Sequence, residues 1–357
     1  MSMTPIKIGI LSAAHYHSEY WSLAFATHPQ SQLVGVWDDK PERGAALAAA
    51  HNTTFHGELD ALLATCDAVG ITSETSRHAE LVEAAAARGV HVLLEKPMSR
   101  NLDEARRIAA AVEGASIAFM LNLPKRYDPI NHELIELVSS GALGELSLVR
   151  IRHGNHAYLA EDVVGAVGWH ADPDLAGGGA LIDEGVHATD FLYWLLGLPR
   201  SVWAMTTNQV AKVAVEDTAL AVYRYDGGVI GEVVTSNVFV GASGSIELYG
   251  SRGAAFLEGV DLASRDLAAA PYLRFVRAGG SSLRWESCET TPRFVEGKQA
   301  FHQQGPHRFL EVLAGEAAPD AALHDAWPSL AMVEAAYRSA AERTEVPVPQ
   351  ALRGTNS

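Results

Sequence analysis

Residues 6–43 read IKIGILSAAHYHSEYWSLAFATHPQSQLVGVWDDKPER. Two apolar runs of strand length, IKIGIL (6–11) and QLVGVWD (32–38), flank a helical pattern over 18–27. The alternation then continues through PERGAALAAAH (41–51), AVGIT (68–72), RHAELVEAAAARG (77–89), VHVLLEKP (90–97), LDEARRIAAAVEG (102–114) and SIAFML (116–121). Strands that recur with a helix between each pair must run parallel, with helices covering both faces of the sheet. The expected fold of this part is α/β, a doubly wound parallel sheet, and it ends near Asn122, where the two prolines of NLPKRYDP (122–129) read as a connection.

The texture then changes. A helix over PINHELIELVSSG (129–141), stopped by Gly141, leads into β-branched and aromatic runs with glycine turns: LSLVRIRH (146–153), SVWAMTTNQV (201–210), DTALAVYRYDGG (217–228), VIGEVVTSNVF (229–239) and SIELYGSRGAAFLEG (245–259). Residues 123–357 are expected to form an α+β domain on one large, mostly antiparallel open sheet, closed by a helix near WPSLAMVEAAYRSAAER (327–343).

Composition limits the function. With 357 residues, 48% of them hydrophobic, the chain can bury a core in each of two domains. The net charge of −16, without a basic cluster, argues against nucleic acid as a partner. The densest apolar run, FLYWLLGL (191–198), is far too short to span a membrane, and MSMTPIKIGI lacks an export signal. Cys66 and Cys288 match no disulfide or metal spacing, as suits a reducing compartment, and a cytoplasmic protein is expected.

In a doubly wound domain ligands sit at the carboxyl ends of the strands. The glycines of a G-x-G-x-x-G turn would fall at 12, 14 and 17, where this chain has Ser12, Ala14 and His17. Serine and alanine are small enough for the backbone to approach a pyrophosphate, whereas His17 replaces the glycine normally needed for tight helix-strand packing; the alternative is an ordinary strand-to-helix turn with surface histidines. Asp38 ends the second strand 26 residues after Ser12, where an acid can meet ribose hydroxyls, and it also fits a cap ahead of Pro41. Lys96, after the strand ending in Glu95, is either a solvated cation or a charge that favours loss of a substrate hydroxyl proton. GGGALIDEGVH (177–187) follows flexible backbone with a carboxylate and an imidazole one turn apart. On a helix from about Ala180 to Leu196, Asp183, His187 and Asp190 share one stripe. Either that stripe is a wet helix face, or His187 accepts an alcohol proton while Asp183 holds the imidazole or the substrate.

Taken in order, EKP (95–97), GALGE (141–145), GGGALIDEGVHATDFLYWLLG (177–197), VEDTALAVYRYDGG (215–228) and IELYGSRG (246–253) resemble the Gfo/Idh/MocA oxidoreductase family, the group of glucose-fructose oxidoreductase and inositol dehydrogenase. The resemblance covers nearly the whole chain. It implies a Rossmann domain, an α+β domain whose sheet serves oligomerisation as a homodimer or homotetramer, and NAD(P)-dependent hydride transfer at a carbinol carbon of a sugar, cyclitol or derivative. NAD is expected over NADP because Asp38 and Asp39 repel a 2′-phosphate.

By position, the resemblance makes Lys96, Asp183 and His187 catalytic and Asp38 the ribose acid. It adds Ser73, His78 and Glu95 to the cofactor side beside Ser12, Ala14 and His17, and places Arg126 and Tyr127 near the substrate. It also implies a cis bond between Lys96 and Pro97. His153, His156 and His170 precede the GGG block and are expected to line the substrate pocket; they could instead ligate a metal with Asp183 and His187, but no tight ligand pattern accompanies them and no metal is expected. Two further activities share these features: a nucleotide-binding sensor without turnover, and an enzyme that keeps NAD bound and uses transient oxidation to cleave or eliminate.

Overall fold

The computed structural model describes residues 4–160, 168–240, 244–260, 272–279, 285–292 and 298–352. The chain divides into two compact units: the first holds residues up to Tyr127, Asp174–Gly177 and Gln299–Trp327, the second Asp128–Pro173, Gly178–Lys298 and the residues from Pro328 on.

The first unit is built on β1 (Ile6–Leu11), β2 (Ser31–Trp37), β3 (Phe55–His56), β4 (Ala68–Ile71), β5 (His91–Leu94) and β6 (Phe119–Leu121), with α1 (His17–Thr27), α2 (Pro41–Ala50), α3 (Leu59–Leu63), α4 (His78–Ala86) and α5 (Leu102–Ala115) between them. The sheet order is β3-β2-β1-β4-β5-β6 and every pairing is parallel. The chain therefore starts in the middle of the sheet and winds outward in both directions, which puts the carboxyl ends of β1 and β4 beside each other. Burial on both faces explains the unbroken apolar runs: Ile8, Ile10, Leu93 and Met120 are fully buried and pack with Trp21 and Phe25 of α1. At the start of α5 the Asn101 side chain accepts from the Glu104 amide at 3.0 Å, an N-cap that fixes where the helix begins.

The second unit opens with α6 (Pro129–Ser139), capped by Asp128, whose carboxylate accepts from Ile130 N at 3.2 Å. Its strands are β7 (Leu146–Gly154), β8 (Ser201–Thr207), β9 (Thr218–Arg224), β10 (Ile230–Ser236), β11 (Gly244–Gly250), β12 (Gly253–Val260), β13 (Tyr272–Ala278), β14 (Trp285–Pro292) and β15 (Val346–Pro347). They form one sheet in the order β14-β13-β12-β11-β7-β10-β9-β8-β15, antiparallel except for the β7–β10 pair. Between β7 and β8 lie α7 (Pro173–Ala176), α8 (Ala180–Asp183) and α9 (Gly185–Leu196).

After β14, α10 (Lys298–Leu313) returns to the first unit, and α11 (Leu323–Glu342) is divided between the units at Pro328. Phe309 and Leu310 of α10 are fully buried in the first unit's core. The single helix expected from Ala180 to Leu196 is interrupted: Glu184, at φ −97° and ψ −37°, separates α8 from α9. His187 N accordingly bonds Glu184 O at 3.2 Å, three residues back, so the regular stripe expected for Asp183, His187 and Asp190 is broken between its first and second members.

Candidate active site

At the end of β1 the chain turns through Ser12, which has φ +72°. A glycine adopts that left-handed conformation freely and serine does so at a cost. The turn is held from inside: Ala13 N donates to Asp38 Oδ2 at 2.6 Å, Ala14 N to Ser12 Oγ at 3.2 Å, and His15 N to Thr72 O at 2.9 Å. His17 is the first residue of α1 and is buried, so the surface histidines of the alternative sequence reading are not found here.

Asp38 lies at the end of β2 and is buried. Its carboxylate takes Arg43 Nε and Nη2 at 2.8 Å each and Lys40 N at 2.8 Å. Burial pushes its pKa upward, but the Arg43 guanidinium and the two backbone amides outweigh burial and hold it below the usual carboxylate range. Arg43 also reaches Glu74 at 2.9 Å and Ser12 Oγ at 3.0 Å, and its guanidinium was not legible in the sequence as part of this site. Glu74 Oε2 is buried without a hydrogen-bond partner among the described residues. A carboxylate pair, a guanidinium and an unused buried acceptor at adjoining strand ends form a donor and acceptor set suited to ribose hydroxyls, and the residues present fit a dinucleotide.

Lys96 and Glu95 follow β5, both buried, and the Lys96-Pro97 peptide is cis. His78 Nδ1 meets Pro97 O at 3.0 Å, and complete burial lowers its pKa. Ser73 is buried, its hydroxyl on Glu74 O at 3.0 Å. Arg126 and Tyr127 engage the first unit: Arg126 Nη1 donates to Asp320 O at 2.8 Å, and Tyr127 packs on the core cluster with its hydroxyl buried, which drives that pKa far up.

The GGG block is fixed by what crowds it. Gly177 has φ +88°, a Cβ on Gly178 would lie 2.2 Å from the Tyr337 hydroxyl, and one on Gly179 would lie 2.0 Å from Glu216 O. Glu216 Oε2 accepts Gly179 N at 2.9 Å, while Oε1 accepts Leu181 N at 2.8 Å and the Tyr337 hydroxyl at 2.7 Å. Tyr337 in turn accepts Ile182 N at 3.2 Å. Glu216 and Tyr337 thus anchor the backbone that leads into Asp183 and His187.

Four of the expected residues gather here. The His187 ring stands edge-on to His153 with centroids 5.2 Å apart, and His153 Nε2 lies 3.0 Å from Glu184 Oε2. Glu184 is held by Asn155 Nδ2 at 2.8 Å. Asp183 accepts Asn237 Nδ2 at 3.4 Å and lies 3.9 Å from His170 Nε2, whose ring stacks on Trp169 at 3.6 Å. His156 is half-buried in the turn after β7. Glu184, Asn155, Glu216 and Tyr337 were missed in the sequence: each acts through a partner distant in the chain, so no local spacing marks it.

An all-parallel sheet in this order, with an acid ending its second strand, defines a dinucleotide-binding Rossmann unit. The chain belongs to the Gfo/Idh/MocA family: residues 6–123 match the oxidoreductase family, NAD-binding Rossmann fold, and residues 132–256 match the GFO/IDH/MocA C-terminal domain. D-xylose 1-dehydrogenase (NADP(+)) 2 of Haloferax volcanii is 36% identical over 221 residues, 61% of this chain and 62% of that protein. Myo-inositol 2-dehydrogenase of Thermotoga maritima is 29% identical over 200 residues, 54% of this chain and 57% of that one. The match thus spans about three-fifths of the length of these curated relatives. The fold is shared with levoglucosan dehydrogenase, solved with NADH and levoglucosan, at a TM-score of 0.83 and 21% identity over 97% of this chain and all of that one.

Among the described residues no helix is long and apolar enough to cross a membrane.

Proposed function

We propose that the protein is an NAD(P)-dependent dehydrogenase that oxidises a carbinol carbon of a sugar, cyclitol or sugar derivative. The observation that carries this reading is the buried His187, backed by His153 and Glu184, in a chain whose first unit belongs to an NAD-binding oxidoreductase family. Oxidising an alcohol requires its hydroxyl proton to leave as the hydride departs, and an imidazole is the side chain whose ordinary pKa suits a base at neutral pH. His187 takes that proton. Its neighbour His153, within reach of the Glu184 carboxylate, stabilises the imidazolium that results. Lys96 favours the developing alkoxide by its charge, and Asp183 orients a substrate hydroxyl. A nicotinamide held by the first unit would supply the hydride acceptor.

Asp38 and Glu74, which Arg43 bridges, would accept from the adenosine ribose hydroxyls, and their charge would favour NAD over NADP. Ser12, Ala14 and the start of α1 would hold the pyrophosphate, and Ser73 and His78 would serve the nicotinamide side. Arg126 and Tyr127 of the first unit, and His156 and His170 of the second, are the further residues assigned to the substrate.

The reading extends to assembly. Trp203 and Met205 of β8 are exposed, and the register sets them beside Val222 and Leu220 of β9, with Val234 of β10 next along. This apolar face is proposed to meet a second copy of the chain in a homodimer or homotetramer, in the cytoplasm. The test of function is a screen of sugars and polyols for nicotinamide reduction, run beside His187→Asn. Turnover in wild type that the variant loses supports the reading, and wild-type turnover in the variant refutes the assignment of the base.

A further inference from the structure

The first unit contains a cluster of metal-ligating side chains, two of which, His17 and Glu95, the resemblance puts on the cofactor side. His15 and His17, from the turn after β1, and Glu95, from the end of β5, each bring a ligand atom within 4.8 Å of the others, and all three are buried. His17 Nδ1 is 3.1 Å from Glu95 Oε2, which also accepts Asn122 Nδ2 at 3.0 Å. Glu95 Oε1 is buried without a hydrogen-bond partner among the described residues. The His302 ring, 2% exposed on α10, lies 4.2 Å from the His17 ring, centroid to centroid.

From this juxtaposition we propose that His15, His17 and Glu95 bind one divalent cation of the zinc class, with His302 as the fourth ligand.

Two imidazoles and a carboxylate are a donor set for zinc and its neighbours, whereas magnesium and calcium require oxygen ligands. Bonds of about 2.0–2.1 Å in a tetrahedron set ligand atoms about 3.3 Å apart, so the cluster closes on an ion by side-chain shifts of about 1–1.5 Å. His15 Nδ1 currently meets His17 N at 3.2 Å. Ligation through Nε2 moves the ring proton to Nδ1 and releases that contact. An ion also answers an electrostatic need: burial of Glu95 pushes its carboxyl up to about 7, and a divalent charge favours the ionised form instead. Its role is structural. It fastens α10, which arrives from far along the chain, to the start of α1 and the end of β5.

The test uses the full chain, stripped with chelator and desalted. Zinc is added in a calorimetric titration, cobalt(II) replaces it in a parallel sample to read coordination by visible absorption, and melting is followed with and without zinc. One cation per chain, a four-coordinate cobalt spectrum and a rise in melting temperature are expected in wild type. His15→Asn and His17→Asn should each weaken binding at least tenfold and abolish the zinc-dependent rise, while His302→Asn weakens binding but leaves nitrogen ligation visible. Because the wild-type stoichiometry decides by itself, a variant that fails to fold does not rescue the proposal. Less than a tenth of an equivalent bound in wild type, or full binding retained in both His15→Asn and His17→Asn, overturns it.

Discussion

Glu216→Gln probes the network that holds the GGG backbone. The native carboxylate receives three donors: Gly179 N at 2.9 Å, Leu181 N at 2.8 Å and the Tyr337 hydroxyl at 2.7 Å. An amide keeps one oxygen and turns the other position into a donor. Its cheaper orientation leaves the nitrogen toward Gly179, because the remaining oxygen then still serves Leu181 and Tyr337. The Gly179 amide is left facing a donor, which costs about 1–3 kcal/mol for a buried unsatisfied group. For a unit of this size each kcal/mol lowers Tm by about 2–4 °C, so a fall of about 2–12 °C is expected. Glu216→Ala strips both buried amides of their acceptor and should lose about 2–6 kcal/mol. On the proposed assignment of Asp183 and His187, the disturbance should also reach the chemistry, because the freed backbone runs directly into both residues. A displacement of about 1 Å there can cost up to 100-fold in rate, and kcat should fall while the affinity for the nucleotide holds. Calorimetric melting and steady-state kinetics of both variants read this out. If Glu216→Gln melts within about 1 °C of wild type, a shift too small for a lost buried acceptor, the network does not anchor the turn and the reasoning fails.

Four other outcomes follow from the geometry. His187→Asn should retain the fold and the nucleotide but lose about 10²–10⁴-fold in kcat, as measured by nicotinamide absorbance. Lys96→Met should fall by a comparable factor by removing the positive charge offered to the alkoxide, with melting temperature as the control for folding. Asp38→Ser removes the carboxylate that Arg43 grips, so the ratio of kcat/KM for NAD to that for NADP should drop, and an unchanged ratio would detach Asp38 from the ribose. Burial pushes the Cys66 thiol up to about 11, whereas Cys288 is exposed, so an alkylating reagent near pH 8 should label Cys288 first, and labelling of Cys66 should accelerate as pH approaches that value; mass spectrometry of peptides distinguishes the two sites.

The parallel sheet was readable because burial on both faces leaves a strand no polar alternation, and each apolar run in the first 121 residues became a strand at the expected place. Helix α10 escaped because its interior contains Gly305-Pro306, a pair that signals a turn, and its long polar stretch gives no apolar stripe. The break between α8 and α9 was invisible for the opposite reason: GALIDEGVHATDF carries helical periodicity straight through Glu184, and only the contacts of Gly179, Leu181 and Ile182 with Glu216 and Tyr337 explain why the first turn is held apart. Asp38, Lys96 and His187 could be picked out because strand ends and motifs mark them. Arg43 and His302 could not, since each matters only through the partners that tertiary folding supplies.

The return of α10 to the first unit also sets an order of events during synthesis. Phe309 and Leu310 complete a core whose other members, such as Ile8, Trp21 and Met120, are all made before residue 128. At about 5–20 residues per second, the roughly 170 residues in between delay that completion by about 10–30 s. For that interval the nascent Rossmann sheet presents an apolar gap where the helix will sit, and a chaperone that recognises apolar surface has a defined time and place to act.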